Sequence, residues 1–145
     1  MTIPGGWDII MSNFQVIKMA DDVAATATPI LREDYAHFLV AGDHTLAEAV
    51  AKINGAILWC RERRIRRLVV DIHEITGFTN PSMTERFDFA TRWAASANGR
   101  LAMAVIAPER LIDPEKIGVV MANSRGFTVD VFTDEAEAIA WMMQH

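Results

Sequence analysis

Three short apolar runs, separated by segments of helical periodicity, constrain the fold of this chain more than any other feature. They occupy residues 68–72, 101–107 and 127–132. The first two lack an alternation of apolar and polar residues, which is typical of central strands covered on both faces. A strand followed by a helix, repeated along the chain, favours a mostly parallel sheet with helices packed on it and right-handed crossovers. We therefore predict a single α/β domain.

A β-hairpin is predicted ahead of these units, and it adds an antiparallel pair of strands. The two strands fall within residues 28–32 and 35–41, on either side of the polar turn Glu33 and Asp34. Residues 26–145 are assigned to the domain. Residues 1–25 are interpreted as an N-terminal arm or an extra strand that covers a sheet edge.

Capping motifs and apolar periodicity predict four helices. Thr45 with Glu48, and Ser82 with Glu85, have the spacing of capping boxes, although Asn80 and Pro81 are an alternative start for the second helix. Asp113 and Thr133 are expected to cap the last two helices. The predicted buried faces, in chain order, are Leu46, Ala49, Val50, Ile53, Ile57 and Cys60; Met83, Phe87, Ala90, Ala94 and Ala97; Ile117, Val120 and Met121; and Ala136, Ile139, Ala140 and Met143.

Composition narrows the class of protein. The 145 residues carry a formal net charge of −5 at pH 7, which disfavours nucleic acid as a partner. Cys60 is the only cysteine, so an internal disulfide is excluded and a cytoplasmic location is expected. No apolar run is long enough to span a bilayer, and the first residues lack the pattern of a signal peptide.

Five arginines and one glutamate fall within residues 61–67. Cations at a helix C-terminus complement the negative end of its dipole, and this interpretation is favoured. The alternative is a docking patch for an acidic partner or a phosphate.

Asp71 ends the first central strand, at the sheet edge where open α/β folds keep their binding sites. Its carboxylate either contacts a ligand or fixes the next turn by accepting backbone N–H bonds, and the second role is favoured. His73 and Glu74 follow at once and raise the question of a metal site. Because Glu74 would point away from the other two in a continuing strand, we expect no metal, and we expect no cofactor.

The loop after this strand and the helix start beyond it form a candidate surface for a ligand or a protein partner. Its residues are Asp71, Phe78, Thr79, Asn80 and Ser82. Thr79 and Ser82 are candidate phosphoacceptors, although helix capping is the simpler account of both, and no general base stands at a recognisable spacing. A helix start also presents free amides that favour a phosphate or carboxylate.

Phe89 and Trp93 form an aromatic stripe beside the core face of the second helix. They are candidate interface residues, for example in a homodimer, because aromatic side chains are favoured at contact cores. The alternative is that both pack on the sheet or under a neighbouring helix.

Four segments of the chain resemble SpoIIAA-like proteins of the STAS class (sulphate transporter and anti-sigma-factor antagonist). They are residues 37–48, 68–72, 101–107 and 127–141, the last being a strand that leads into an acidic, alanine-rich helix with Trp141. The resemblance implies a STAS fold and a non-enzymatic regulatory protein that binds a partner protein. In sporulation-type members, phosphorylation of a serine or threonine at the start of the helix after the Asp-containing strand breaks that contact.

The chain departs from this family at the position of the switch. The family has an Asp-Ser-Ser-Gly-like run there, whereas this chain has Thr79, Asn80, Pro81, Ser82 and Met83. The resemblance is therefore to a divergent branch, sometimes likened to the lipid-binding SEC14 fold. A regulatory or protein-interaction module is predicted, with a binding module for an apolar or anionic small molecule as the alternative. An enzyme is the weakest hypothesis, because no complete catalytic set is recognisable.

Overall fold

The computed structural model describes residues 28–145, so the predicted arm over residues 1–25 lies outside the described residues. The strands are β1 (Ile30–Leu31), β2 (Ala36–Leu39), β3 (Gly42–Asp43), β4 (Arg67–Asp71), β5 (Ile75–Thr76), β6 (Ala102–Ile106) and β7 (Thr128–Phe132). The helices are α1 (Leu46–Glu62), α2 (Met83–Ala97), α3 (Ile117–Ser124) and α4 (Glu135–Met142), with a 3-10 turn at Glu109–Leu111.

Five strands form the main sheet, in the order β1-β2-β4-β6-β7. The β1 strand runs antiparallel to β2, and all other neighbours in this sheet are parallel. Strands β3 and β5 make a separate parallel pair. The α/β architecture with a mixed, mostly parallel sheet is thereby confirmed, and the carboxyl ends of the parallel strands open at one edge of the sheet.

The two faces of the sheet are covered unequally. On one face, Leu68, Val70 and Met103 pack beneath α1, α2 and α3. On the other, Val69 and Ala104 pack against α4. Successive residues of a strand point to opposite faces, so β4 and β6 are buried on both sides. This double burial explains why residues 68–70 of β4 and all of β6 are apolar instead of alternating.

Both predicted capping boxes are present. The side-chain hydroxyls of Thr45 and Ser82 accept from the backbone N–H of Glu48 and Glu85, each at 3.1 Å. The two glutamate carboxylates accept in return from the backbone N–H of Thr45 and Ser82. Two helix starts are therefore encoded locally. The predicted buried face of α1 is also confirmed from Ala49 to Cys60.

The predicted core face of α2 is wrong at its first two turns. Met83 and Phe87 are 64% and 41% exposed, and Arg86 takes the inward position in line with Ala90 and Ala94. The Arg125 guanidinium lies over the Phe87 ring, 4.6 Å from its centroid, and leaves much of the residue exposed. Periodicity alone misplaced this turn because carbonyl oxygens inside the fold stabilise an arginine where an apolar residue was expected.

The faces of the two short helices also differ from prediction. Val120 of α3 is 57% exposed. Helix α4 buries Ala138 and Met142 instead of the predicted Ala136, Ile139, Ala140 and Met143, and its cap is Asp134, not Thr133. Apolar residues fill almost every position of this helix, so periodicity could not select a face; contact with the sheet does.

None of α1–α4 combines the length and the apolar character needed to traverse a bilayer.

Candidate ligand-binding site

A cavity of about 110 Å³ lies between α2 and the sheet. Helices α1 and α3 pack on the strands, and α2 bridges these two helices. The inward residues of α2 beyond Arg86 are alanines, namely Ala90, Ala94 and Ala97. Protein interiors are normally packed without voids larger than a water molecule. Small side chains on a bridging helix leave the space beneath it unfilled, and that space is the cavity.

The wall of the cavity is almost entirely apolar. Three aromatic rings, of Phe78, Phe89 and Trp93, contribute to it. Small residues from the three helices and from the end of β6 widen it: Ala49, Ala90, Ala107, Gly118 and Ala122. An apolar cavity of this size does not hold ordered water well, because water needs two to four polar partners. The space is suited to an apolar group.

Phe89 and Trp93 are half-buried in this wall. Their ring centroids are 4.7 Å apart, and Trp93 Nε1 donates to the backbone carbonyl of Val50 at 3.2 Å. The pair therefore closes the groove between α1 and α2. A protein interface through these two residues stays a prediction.

Arg86 is the buried cation of the site. Its side chain lines the cavity, and the residue is only 8% exposed. Nε donates to the Pro81 carbonyl at 3.1 Å, and Nη2 donates to the Leu111 carbonyl at 3.2 Å and to Asn80 Oδ1. Arg86 thus joins the loop before α2 to the 3-10 turn after β6. All three acceptors are neutral.

Burial lowers the pKa of the Arg86 guanidinium, and the nearby Asp113 carboxylate acts in the opposite direction. Asp113 is engaged elsewhere, since its Oδ2 accepts from the backbone N–H of Glu115 and Ile117 and so shapes the turn before α3. The ion pairs of residues 28–145 join Arg63 to Glu62 and Lys116 to Asp130, and Arg86 belongs to neither.

Lys116 and Asp130 form the second charged part of the wall. Lys116 Nζ lies 2.9 Å from Asp130 Oδ1, so the charge of this lysine is neutralised. Its backbone has a φ of 52°, in the left-handed region that a lysine seldom adopts. The turn that begins α3 is held in this conformation by the Asp113 carboxylate on one side and the Lys116–Asp130 pair on the other.

The loop between β4 and α2 is anchored by main-chain contacts. Residues 75–76, predicted as loop, instead form β5 and pair with β3. Arg110 donates to the carbonyls of Ile75 and Phe78. These contacts fix Phe78 in the cavity wall.

The structure gives the predicted site residues different tasks. Asp71 Oδ1 accepts from the backbone N–H of His73 at 2.9 Å, which is the loop-fixing role. Phe78 lines the cavity, Asn80 holds Arg86, and Ser82 caps α2. Thr79 is exposed in the loop and does not supply the cap.

Arg86 is the residue that sequence reasoning missed. It stands four residues before Ala90 and eight before Ala94, on the stripe of α2 that faces inward. A charged residue in register with a stripe of alanines was the available signal. Lys116 and Asp130 are far apart in sequence and gave none.

A second, wider crevice of about 650 Å³ opens at the carboxyl ends of the strands. His73, Glu109 and Thr133 contribute its polar groups, and it shares Ala107 and Ile112 with the cavity. No cluster of three histidine, cysteine or carboxylate side chains suited to a metal ion occurs among residues 28–145.

Comparisons of the chain with protein-family models, with curated proteins and with solved structures found no match.

Proposed function

We propose that this protein binds a small apolar molecule in the cavity beneath α2. The observation that carries the proposal is the cavity itself: about 110 Å³ of space with an apolar wall, next to the main hydrophobic core. Ligand sites are typically concave, mostly apolar and equipped with a few polar groups that orient the ligand. Arg86, Asp113 and the Lys116–Asp130 pair supply those groups here.

Straight-chain alcohols test the proposal, because their apolar length is varied one methylene at a time. Burying a methylene contributes about 0.8 kcal/mol, so affinity should rise roughly fourfold for each one added until the cavity is full. Titration calorimetry with butanol, hexanol, octanol and decanol measures the series. A series without any length dependence, or with no binding at all, would show that the cavity is not a ligand site.

A leucine placed in the cavity provides the matched variant. Ala90 lines the cavity from α2, whereas Ala95 lies on the exposed side of the same helix. Ala90→Leu should remove most of the octanol affinity by occupying the space. Ala95→Leu makes the same chemical change on the same helix and should leave the affinity unchanged. Equal behaviour of the two variants would place the bound alcohol elsewhere.

A second candidate function is the regulatory protein interaction that the SpoIIAA-like resemblance implies, in the cytoplasm and without enzymatic activity. The observation that favours it is the exposed start of α2, where Met83 and Phe87 leave apolar surface next to Ser82. Exposed apolar residues beside a candidate phosphoacceptor are consistent with a partner contact that phosphate disrupts.

Variants at Ser82 and Thr79 test this second function. Pulldowns with the wild type, Ser82→Ala, Ser82→Asp and Thr79→Asp should retain a common partner in the first two and lose it in Ser82→Asp. Aspartate still caps a helix, so the loss would come from charge and not from unfolding. An identical partner list for all four proteins would count against a switch at either residue.

A further inference from the structure

The charged Arg86 guanidinium is buried in an apolar environment, where a charge is energetically unfavourable. It is 8% exposed and lies in the wall of an apolar cavity. Removing an ion from water is unfavourable by several kcal/mol unless a counter-ion and good hydrogen bonds compensate. Its recorded acceptors are two backbone carbonyls and one amide oxygen. The domain thus gives the Arg86 guanidinium hydrogen bonds, but no residue from 28 to 145 forms an ion pair with it.

The guanidinium also has donors to spare. An arginine has five N–H bonds, of which Nε contributes one to Pro81 and Nη2 contributes two, to Asn80 and Leu111. Both N–H bonds of Nη1 remain. Nη1 has no hydrogen-bond partner within residues 28–145, yet it is not fully buried. In this part of the chain, the one fully buried side-chain polar atom without a partner is Thr91 Oγ1. Because the Arg86 side chain lines the cavity, an acceptor that enters the cavity is a suitable partner for these two N–H bonds.

The surrounding charges favour an anion with a single negative charge. Lys116 is already neutralised by Asp130 at 2.9 Å. The Asp113 carboxylate also lines the cavity and would repel a second negative charge. A carboxylate needs only one cation and can accept from the N–H bonds that remain on Nη1, whereas a phosphate dianion would require more positive charge.

From these observations we infer that the ligand is an amphiphile with one carboxylate, which pairs with Arg86 while the apolar part fills the cavity. The inference rests on the proposed function, since it assigns the polar end of the same ligand. It gives Arg86 a binding role in addition to its structural role of joining the Asn80–Pro81 loop to the Leu111 turn.

The wild-type protein provides the first test, with octanoate, octanol and octyl phosphate as probes of equal chain length. Charge-assisted hydrogen bonds in a buried site are worth roughly a tenfold to hundredfold change in affinity. Octanoate should bind at least about tenfold more tightly than octanol at neutral pH. This preference should disappear as the pH falls through the pKa of the octanoic acid carboxyl group.

Two arginine variants provide the second test. Arg86→Gln should abolish the preference for octanoate over octanol while octanol still binds. Arg110→Gln is the matched control: Arg110 also donates to backbone carbonyls of this loop, at Ile75 and Phe78, but does not line the cavity. It should weaken the loop and keep the preference. A purely structural Arg86 would lower the affinity for both probes by the same factor.

The outcomes separate the two proposals. Octanol binding without a preference for octanoate, or tighter binding of octyl phosphate than of octanoate, overturns the carboxylate assignment and leaves the apolar site standing. No binding of octanol or octanoate overturns both. If Arg86→Gln does not fold, the wild-type comparison and its pH dependence still decide the assignment.

Discussion

At Gly77 the backbone passes so close to Asp43 and His44 that a side chain has no room. A Cβ on Gly77 would lie 2.2 Å from the His44 carbonyl oxygen and 2.8 Å from Asp43 Oδ1, and φ is +109°. The His44 atoms are backbone, and the hydrogen bond from His44 N–H to the Thr76 carbonyl fixes them beside the pairing of β3 with β5. The short parallel pair therefore depends on glycine at this position.

We expect Gly77→Ala to lower the free energy of unfolding by about 2–4 kcal/mol, because it adds both a clash and an unfavourable φ. Gly99→Ala is the control: Gly99 also has a positive φ, of +69°, but a Cβ there meets nothing within 4 Å. It should cost only about 1 kcal/mol. Urea denaturation of both variants measures the difference, and equal losses would mean that close packing at Gly77 is unimportant.

Cys60 is a second residue whose chemistry is set by its position. It is fully buried in the core, and burial raises the pKa of its thiol from 9.0 to about 12, partly offset by the charge of Arg63. At neutral pH the native thiol is therefore neutral and shielded. We expect Ellman's reagent at pH 8 to modify it only after denaturation. Rapid modification of the native protein would contradict this.

The same pKa shift has a consequence for stability. A group whose pKa is higher in the folded state contributes stability that is fully present below its unfolded pKa and is lost as the pH rises through the folded pKa. The contribution of Cys60 is therefore lost between pH 9.0 and about 12. The difference in unfolding free energy between wild type and Cys60→Ala should shrink over this range.

At the scale of elements, the start of α2 depends on a reciprocal pair of hydrogen bonds between Ser82 and Glu85. Ser82→Ala should cost about 1 kcal/mol of unfolding free energy, and Ser82→Asp should cost less because aspartate is also a good cap. Thr79→Ala, three residues earlier on exposed loop, should change the stability by less than 0.5 kcal/mol or so. Thermal denaturation monitored by circular dichroism measures all three. A large effect at Thr79 would contradict the assignment of Ser82 as the cap of α2.

The elements differ in how far sequence reasoning could predict them. Capping boxes involve residues three apart, so Thr45 and Ser82 could be identified without tertiary information. The apolar runs in β4 and β6 were equally clear, because burial on both faces leaves no polar position over residues 68–70 or along β6. The inward faces of α4 and of the first turns of α2 were misassigned, although both helices were predicted. These faces depend on contacts made after folding: carbonyl oxygens around Arg86, and the sheet beneath Ala138 and Met142.

The site shows the same division. Phe78, Asn80 and Ser82 were expected near the end of the Asp71 strand, because parallel strands deliver their following loops to one edge. Their separate tasks were not predictable, and neither was the cavity. It results from small residues on four segments that are distant in sequence, namely Ala49, Ala90, Ala107 and Ala122. Space that side chains leave unfilled has no local sequence pattern.

For the whole molecule, the empty cavity lowers the free energy of unfolding. Losses from enclosed cavities in protein cores are about 24 cal/mol for each Å³, so a partly open cavity of about 110 Å³ corresponds to a cost of at most about 2.6 kcal/mol. Because a domain of this size is stable by only about 5–15 kcal/mol, that cost is a considerable fraction. A site that remains open in spite of it is expected to regain stability when the cavity is filled, by a side chain or by a ligand.

We therefore expect opposite behaviour from the wild type and Ala90→Leu as octanol is added. Without ligand, Ala90→Leu should be more stable by about 1 kcal/mol, since leucine fills part of the cavity. A ligand at one hundred times its Kd adds about 2.7 kcal/mol to the wild type, which raises Tm by roughly 10 °C. Ala90→Leu should gain almost nothing. Thermal scans across an octanol series would then show the two stabilities crossing, and parallel curves would mean that octanol acts on the protein without entering the space beneath α2.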